Sequence, residues 1–218
     1  MKIASLIFVI LFGLASFVHL YFCYIEDEHK RHLSKPFCLL FLTLAAIFYN
    51  PLEPFIYLGA LFSLIGDFLL LFKKNTKVFL VGTGVFYIAH IMYMIAGFRT
   101  FSSVVPYYVY IIIPFAIILV AVLMYPLTKS IAPKIAIIGN VYMTTLISLI
   151  ILGIFIAIFN NVGYGLMFLF GYLIFFFSDA LIIFTKFKKD IKRRDFYIMV
   201  LYLVAEILIV ISLSLALA

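Results

Sequence analysis

Eight long apolar runs lie at about 3–25, 35–49, 55–72, 78–98, 106–124, 135–159, 164–185 and 196–217, with short polar breaks between them. The breaks carry strong chain punctuation: Asn50-Pro51-Leu52-Glu53-Pro54, Lys73-Lys74-Asn75-Thr76-Lys77, Tyr125-Pro126 through Pro133-Lys134, and Asn160-Asn161-Val162-Gly163. About 20 apolar residues in a helix cross roughly 30 Å of hydrocarbon. In lipid the backbone satisfies its hydrogen bonds only in helices or closed barrels. The runs are continuous rather than alternating, so helices are the choice. The pattern predicts an all-α polytopic membrane fold, a single eight-helix transmembrane domain over residues 1–218. The first run exceeds the apolar region of about 7–15 residues of a signal peptide, and no small-x-small cleavage site follows it, so it reads as a retained span. The second run is the short one, ending at Pro51.

Composition agrees. Of 218 residues 67% are hydrophobic and 11% charged, whereas a soluble domain carries about 25% charge. A 25.0 kDa chain with mean hydropathy +1.29 cannot hide that excess in one water-soluble globule. A soluble enzyme, a disordered tail and a disulfide scaffold are excluded.

The net charge of +7 would point to nucleic acid in a soluble protein. Here it follows the membrane: 14 of the 16 Lys and Arg residues fall in the odd-numbered breaks, leaving only Lys2 and Arg99 on the other side. The positive-inside rule puts those breaks in the cytoplasm and both termini outside. Deleting the second span would reverse the balance, so it is kept. Cys23 and Cys38 are too few for a zinc site, form no CxxC, and read as packing residues. The run Glu26-Asp27-Glu28-His29-Lys30-Arg31-His32 reads as a solvated loop. No HExxH, Walker A loop or GxSxG elbow occurs, so neither metal nor serine chemistry is expected.

Ionisable groups at membrane depth mark function by default. They are Asp67 in span 3, Asp179 in span 7 and Glu206 in span 8, with His19 and His90 in spans 1 and 4. Spans 3 and 7 run the same way, and each aspartate precedes its cytoplasmic end by about five or six residues. At 1.5 Å per residue both lie roughly 8–9 Å inside that boundary. Two carboxyls at one depth are candidates for one site; the alternative is that each bonds a neighbouring helix. Their surroundings are alike: Gly59, Gly66-Asp67-Phe68-Leu69 and Phe72 against Gly171, Ser178-Asp179-Ala180-Leu181 and Phe184. The offset of 112 residues also places His90 on Tyr202, which points to a parallel 4+4 duplication. On span 4, Gly82, Phe86, His90, Tyr93 and Gly97 share a face; Tyr202 and Glu206 form an i, i+4 pair on span 8. His19 reads as a helix-contact residue.

Several words resemble one family. Ser63-Leu64-Ile65-Gly66-Asp67-Phe68-Leu69-Leu70 is similar to its SllGDxxL, Gly82, Phe86, His90 and Tyr93 to its GxxxFxxxHxxY, and Gly171, Phe175, Phe176, Ser178 and Asp179 to its GxxxFxxSD. Ser34-Lys35-Pro36 resembles its KP entry to the second span. The family is the YhhN-like lysoplasmalogenases. Span 8 departs: the family's Tyr-x-x-Ala-Gln is here Tyr202-Leu203-Val204-Ala205-Glu206, a carboxyl in place of an amide, which bears on head-group choice or pH optimum.

The resemblance implies hydrolysis of the vinyl-ether bond of a lysophospholipid drawn from the membrane, giving a fatty aldehyde and a glycerophospho-alcohol. Vinyl ethers hydrolyse by protonation at carbon to an oxocarbenium ion that water captures. This needs a proton donor, a base and a nearby negative charge, which two carboxyls supply, as in glycoside hydrolysis. Asp67 and Asp179 are the implied catalytic pair, one protonated and one ionised, with no metal or cofactor. Lys35, with Lys73 or Lys74, is placed to meet the lipid phosphate; Ser63, His90, Tyr93, Ser178, Tyr202 and Glu206 bind substrate or orient the acids. The site would face the cytoplasmic leaflet, with membrane lipid and not nucleic acid as partner. The alternative is a small transporter or proton-coupled carrier using the same acids. An intramembrane aspartyl protease fits poorly, because Leu64-Ile65-Gly66-Asp67 lacks the first glycine of GxGD.

Overall fold

A computed structural model describes residues 3–71, 76–101, 107–131 and 133–218. Eight α-helices follow one another: α1 (Ile3–Tyr24), α2 (Glu28–Tyr49), α3 (Pro54–Leu70), α4 (Thr76–Arg99), α5 (Tyr107–Ile131), α6 (Ala136–Phe159), α7 (Val162–Phe187) and α8 (Arg194–Ala216), with a 3-10 turn at Pro133–Ile135. No strand occurs among the described residues. Six helices are long and apolar enough to cross a membrane; α3, at 17 residues, and the Ile117–Ser130 stretch of α5 are shorter. Large apolar side chains such as Ile3, Leu14, Phe17, Val122, Ile137 and Phe170 face outward. A soluble monomer rarely exposes so much apolar surface; here lipid is its solvent, and the chain is a multi-pass integral membrane protein.

The helix boundaries correct the sequence reading in two places. The second helix starts at Glu28, not near 35, so most of the charged run expected as a loop is helical and this helix has 22 residues. Asp27 is the reason: its carboxylate accepts the backbone N–H of Lys30 at 3.1 Å and supplies a side-chain N-cap. Lys30 and Glu28 add i, i+3 and i, i+4 partners in Asp27 and His32. Likewise α5 continues through Pro126 to Ile131, beyond the expected end near 124. Within the added turns the Thr128 hydroxyl donates back to the carbonyls of Met124 and Tyr125.

The chain divides into two compact units, one running to Ala96 and including Val210–Ala218, the other Gly97–Ile209. In the first, α1 and α2 meet through Ser5 Oγ donating to Ala45 O at 2.9 Å and through stacked Phe8 and Phe48 rings. Helices α3 and α4 pack antiparallel with glycine against aromatic ring. A Cβ built on Gly59 would stand 2.5 Å from the Tyr93 ring, and one on Gly66 2.7 Å from the Phe86 ring. The small residues that admit these rings are on α3, facing the Phe86 and Tyr93 face of α4. Asn50, the C-cap of α2, donates Nδ2 to Leu217 O at 2.8 Å.

In the second unit, Asn140 of α6 donates to Ala121 O of α5 at 3.0 Å. Gly153 lies against the Leu169 backbone and Gly165 against that of Ala157, so α6 and α7 approach at backbone contact. Gly171 faces the Ala205 carbonyl, and Ser178 Oγ donates to Ile198 O at 3.2 Å. Asn160, the C-cap of α6, donates to Thr100 O at 2.5 Å.

The two antiparallel pairs share one register. Adding 112 to Gly59 and Tyr93 gives Gly171 and Ala205; adding it to Gly66 and Phe86 gives Ser178 and Ile198. In both units the aspartate follows directly on the small residue that meets the next helix.

Candidate functional site

Each unit holds its aspartate among buried polar side chains. In the first, Asp67 on α3 is 2% exposed. Lys35 of α2 reaches it, Nζ to Oδ1 at 2.9 Å. The sequence reading gave Lys35 to the lipid phosphate; instead its ammonium lies on a carboxylate, where charge assistance makes the bond strong. Ser63, one turn before Asp67, is fully buried, as are His90 and Tyr93. Tyr93 fills the notch at Gly59. Lys73 and Lys74 lie outside the described residues, as does Phe72.

A second polar chain borders this cluster. Ser34 donates its hydroxyl to Arg31 O at 3.3 Å, so its oxygen is free to accept from His19 Nδ1–H at 2.8 Å. That leaves His19 Nε2 to receive the Cys23 thiol at 3.5 Å. His19 joins α1 to α2, the contact role read for it. Both cysteines are buried and free, as packing residues are.

In the second unit the Tyr142 hydroxyl of α6 donates to Asp179 Oδ2 in a short hydrogen bond. Tyr142 is buried and Asp179 is partly exposed. Ser178 turns away from the aspartate to Ile198 O. Glu206 is fully buried on α8, and Tyr202, one turn before it, stands edge-on to Phe175 with ring centroids 5.5 Å apart. Glu206 is within electrostatic reach of both Tyr142 and Tyr172. The second unit thus gathers Tyr142, Tyr172, Asp179 and Glu206; the first gathers Lys35, Ser63 and Asp67.

Tyr142 is the residue the sequence reading missed. The signal was present but faint: it is the one tyrosine of the run 135–159, set among Asn140, Thr144 and Ser148, polar side chains at helical spacing. Nothing in that spacing says which acid it meets. The coarse chemistry is plain. The first unit presents a carboxylate bound to a cation, and the second an acid bound to a neutral hydroxyl. Among the described residues no three or more His, Cys, Asp or Glu side chains gather as a metal site.

No curated protein and no solved structure matches the chain. A family model described as YhhN family matches residues 30–213 and so spans α2 through most of α8, both aspartates and all the side chains that hold them. This multi-pass membrane protein therefore belongs to the YhhN family.

Proposed function

We propose that this protein is a lysoplasmalogenase, a membrane hydrolase that cleaves the vinyl-ether bond of an alkenyl lysophospholipid. The observation that carries the reading is the pair of intramembrane aspartates at one repeat position, each held by a side chain from the preceding helix pair, in a YhhN-family chain.

The reaction asks little beyond acid and base. An aspartic acid gives its proton to the vinyl carbon remote from the ether oxygen. The C=C pair forms the new C–H bond, and the cation is shared between the other carbon and the oxygen. Water adds to that carbon, and a carboxylate takes the proton released. The hemiacetal then breaks its C–O bond to the glycerol, giving a fatty aldehyde and a glycerophospho-alcohol, and the transferred protons return both carboxyls to their starting state. A fixed negative charge favours the oxocarbenium state in a medium of low dielectric. The lysolipid would enter from the cytoplasmic leaflet, its phosphate at the interface.

Purified protein incubated with an alkenyl lysolipid is expected to release fatty aldehyde, read by mass spectrometry. Asp67→Asn and Asp179→Asn, each eluting and melting as a folded protein, are expected to release none. No aldehyde from folded wild type would overturn the reading, and transport assays on the same protein would then take precedence.

A further inference from the structure

We infer that the turn between α7 and α8 is a docking surface for the head groups of anionic phospholipids, built by Lys188, Lys189 and Lys192. The lipid it holds is a neighbour rather than a substrate, so the surface serves a hydrolase and a carrier alike. All of its residues lie in the second unit.

Residues 186–194 hold six of the 16 Lys and Arg residues of the chain, with one carboxylate, Asp190, among them. Asp190 Oδ1 takes Arg194 Nη1 at 3.0 Å and Asp195 Oδ1 takes Arg194 Nε at 3.4 Å, so one guanidinium engages both carboxylates of the turn. Lys188, Lys189 and Lys192 are exposed and make no ion pair among the described residues. The α1–α2 turn differs. There Glu26, Asp27 and Glu28 stand beside the cations, with Lys30 on Asp27 and His32 on Glu28. The positive-inside rule asks for an excess of cations over a whole face, not for six in one turn. Helix dipoles do not explain the cluster either. A cation suits the C-terminal end of α7, where Lys188 is the cap, but Lys192, Arg193 and Arg194 load the N-terminal end of α8, where the dipole opposes them. An anion from outside the chain offsets that charge.

The position fits lipid rather than a soluble partner. The membrane-crossing stretch of α7 ends at Lys186 and that of α8 begins at Arg194. The backbone N–H groups of Lys188 and Lys189 both donate to Phe184 O, at 2.8 and 3.3 Å, so the two lysines are held against the last turn of α7. At 1.5 Å per residue Lys188 stands only about 3 Å beyond the span. The exposed rings of Phe184 and Tyr197 lie one turn into α7 and α8 from Lys188 and Arg193, and aromatic side chains at span ends settle at the level of the head groups. Rings at that level put the ammonium groups at the depth of the lipid phosphates. A zwitterionic head group brings its own cation to that depth and an anionic one does not, so the lysines favour the anionic lipid.

The test is the full chain reconstituted in vesicles of equal parts phosphatidylglycerol and phosphatidylcholine, with spin-labelled analogues of each reporting the lipid held at the protein surface. Wild type is expected to hold phosphatidylglycerol about fivefold more strongly, the worth of one lysine at an anionic surface. The preference is expected to shrink at about 1 M salt, where exposed charges are screened beyond about 3 Å. Lys188→Gln/Lys189→Gln/Lys192→Gln is expected to bring it to about twofold or less, and the three matching Lys→Arg changes to keep it. The Gln variant retains eleven of the fourteen cations on its face, so insertion is not reversed. Lys30→Gln/Arg31→Gln/Lys129→Gln, which removes as many cations from other breaks on that face, is expected to leave the preference intact. No preference in wild type, or an equal fall in the two Gln variants, overturns the assignment. So does binding of polyglutamate through the same lysines without any lipid preference, which would give the surface to a soluble acidic partner.

Discussion

Lys35 of α2 and Asp67 of α3 form a buried ion pair at 2.9 Å. Each of these ions is stable at that depth because of the other. Removing one partner of a buried pair costs about 3–5 kcal/mol, since the remaining charge is left uncompensated. Lys35→Met is therefore expected to destabilise the folded protein by about that much. The double variant Lys35→Met/Asp67→Asn, which removes both charges, is expected to recover most of the loss. Thermal or denaturant unfolding in micelles reads both; a double variant no better than the single would contradict a charge-based origin.

The α3–α4 contact depends on the absence of two Cβ atoms. Gly59→Ala puts a methyl group into the Tyr93 ring, and Gly66→Ala puts one into the Phe86 ring. Overpacking of this kind costs about 1–3 kcal/mol. Gly84 on α4 has open space at the same construction, so Gly84→Ala is expected to be neutral or to stabilise by up to about 1 kcal/mol through backbone entropy. Comparing the three melting temperatures checks the register directly.

Asn50 and Asn160 play matching parts in the two units, each capping the second helix of its half and bonding a carbonyl at another helix end. Loss of one such hydrogen bond costs about 1 kcal/mol. Asn50→Ala is expected to speed hydrogen exchange near Leu217, and Asn160→Ala near Thr100, with each change confined to its own unit. Exchange that rises everywhere in either variant would speak against these local roles.

Asp27 gives a pH dependence whose sign can be worked out. The Lys30 backbone N–H that it accepts holds its carboxyl below the usual 3.8. A group whose folded value lies below its unfolded one contributes stability above the unfolded value and loses it as pH falls through the folded one. Protection of the first turn of α2 is thus expected to hold at neutral pH and to fall below about pH 4. Asp27→Ala is expected to lack that step while fraying the same turn at all pH values. Hydrogen exchange of residues 28–31 across pH is the measurement.

Much of the fold was legible because lipid imposes a simple rule. A segment that crosses hydrocarbon must be long, apolar and helical, so eight runs read directly as eight helices. The boundaries that shifted are those where polar side chains act on the backbone. Asp27 draws a charged stretch into α2, and α5 runs on past Pro126 to Ile131; hydropathy registers neither. The aspartates stood out because charge in an apolar run is conspicuous. Tyr142 did not, because a tyrosine in such a run is ordinary until its hydroxyl is seen to have a carboxyl to meet.

By itself, the sequence determined that the chain is helical and embedded in lipid, that α3 and α7 carry equivalent acids, and that glycine and serine flank them at matching positions. These follow from composition and spacing, which act along one chain. Tertiary structure decided what each acid faces. Helices α3 and α7 present the same word, but α2 brings an ammonium and α6 a phenol, from 32 and 37 residues away in sequence. That pairing depends on the register between helices, set by where Gly153, Gly165 and their neighbours allow backbones to approach, and no local pattern encodes it.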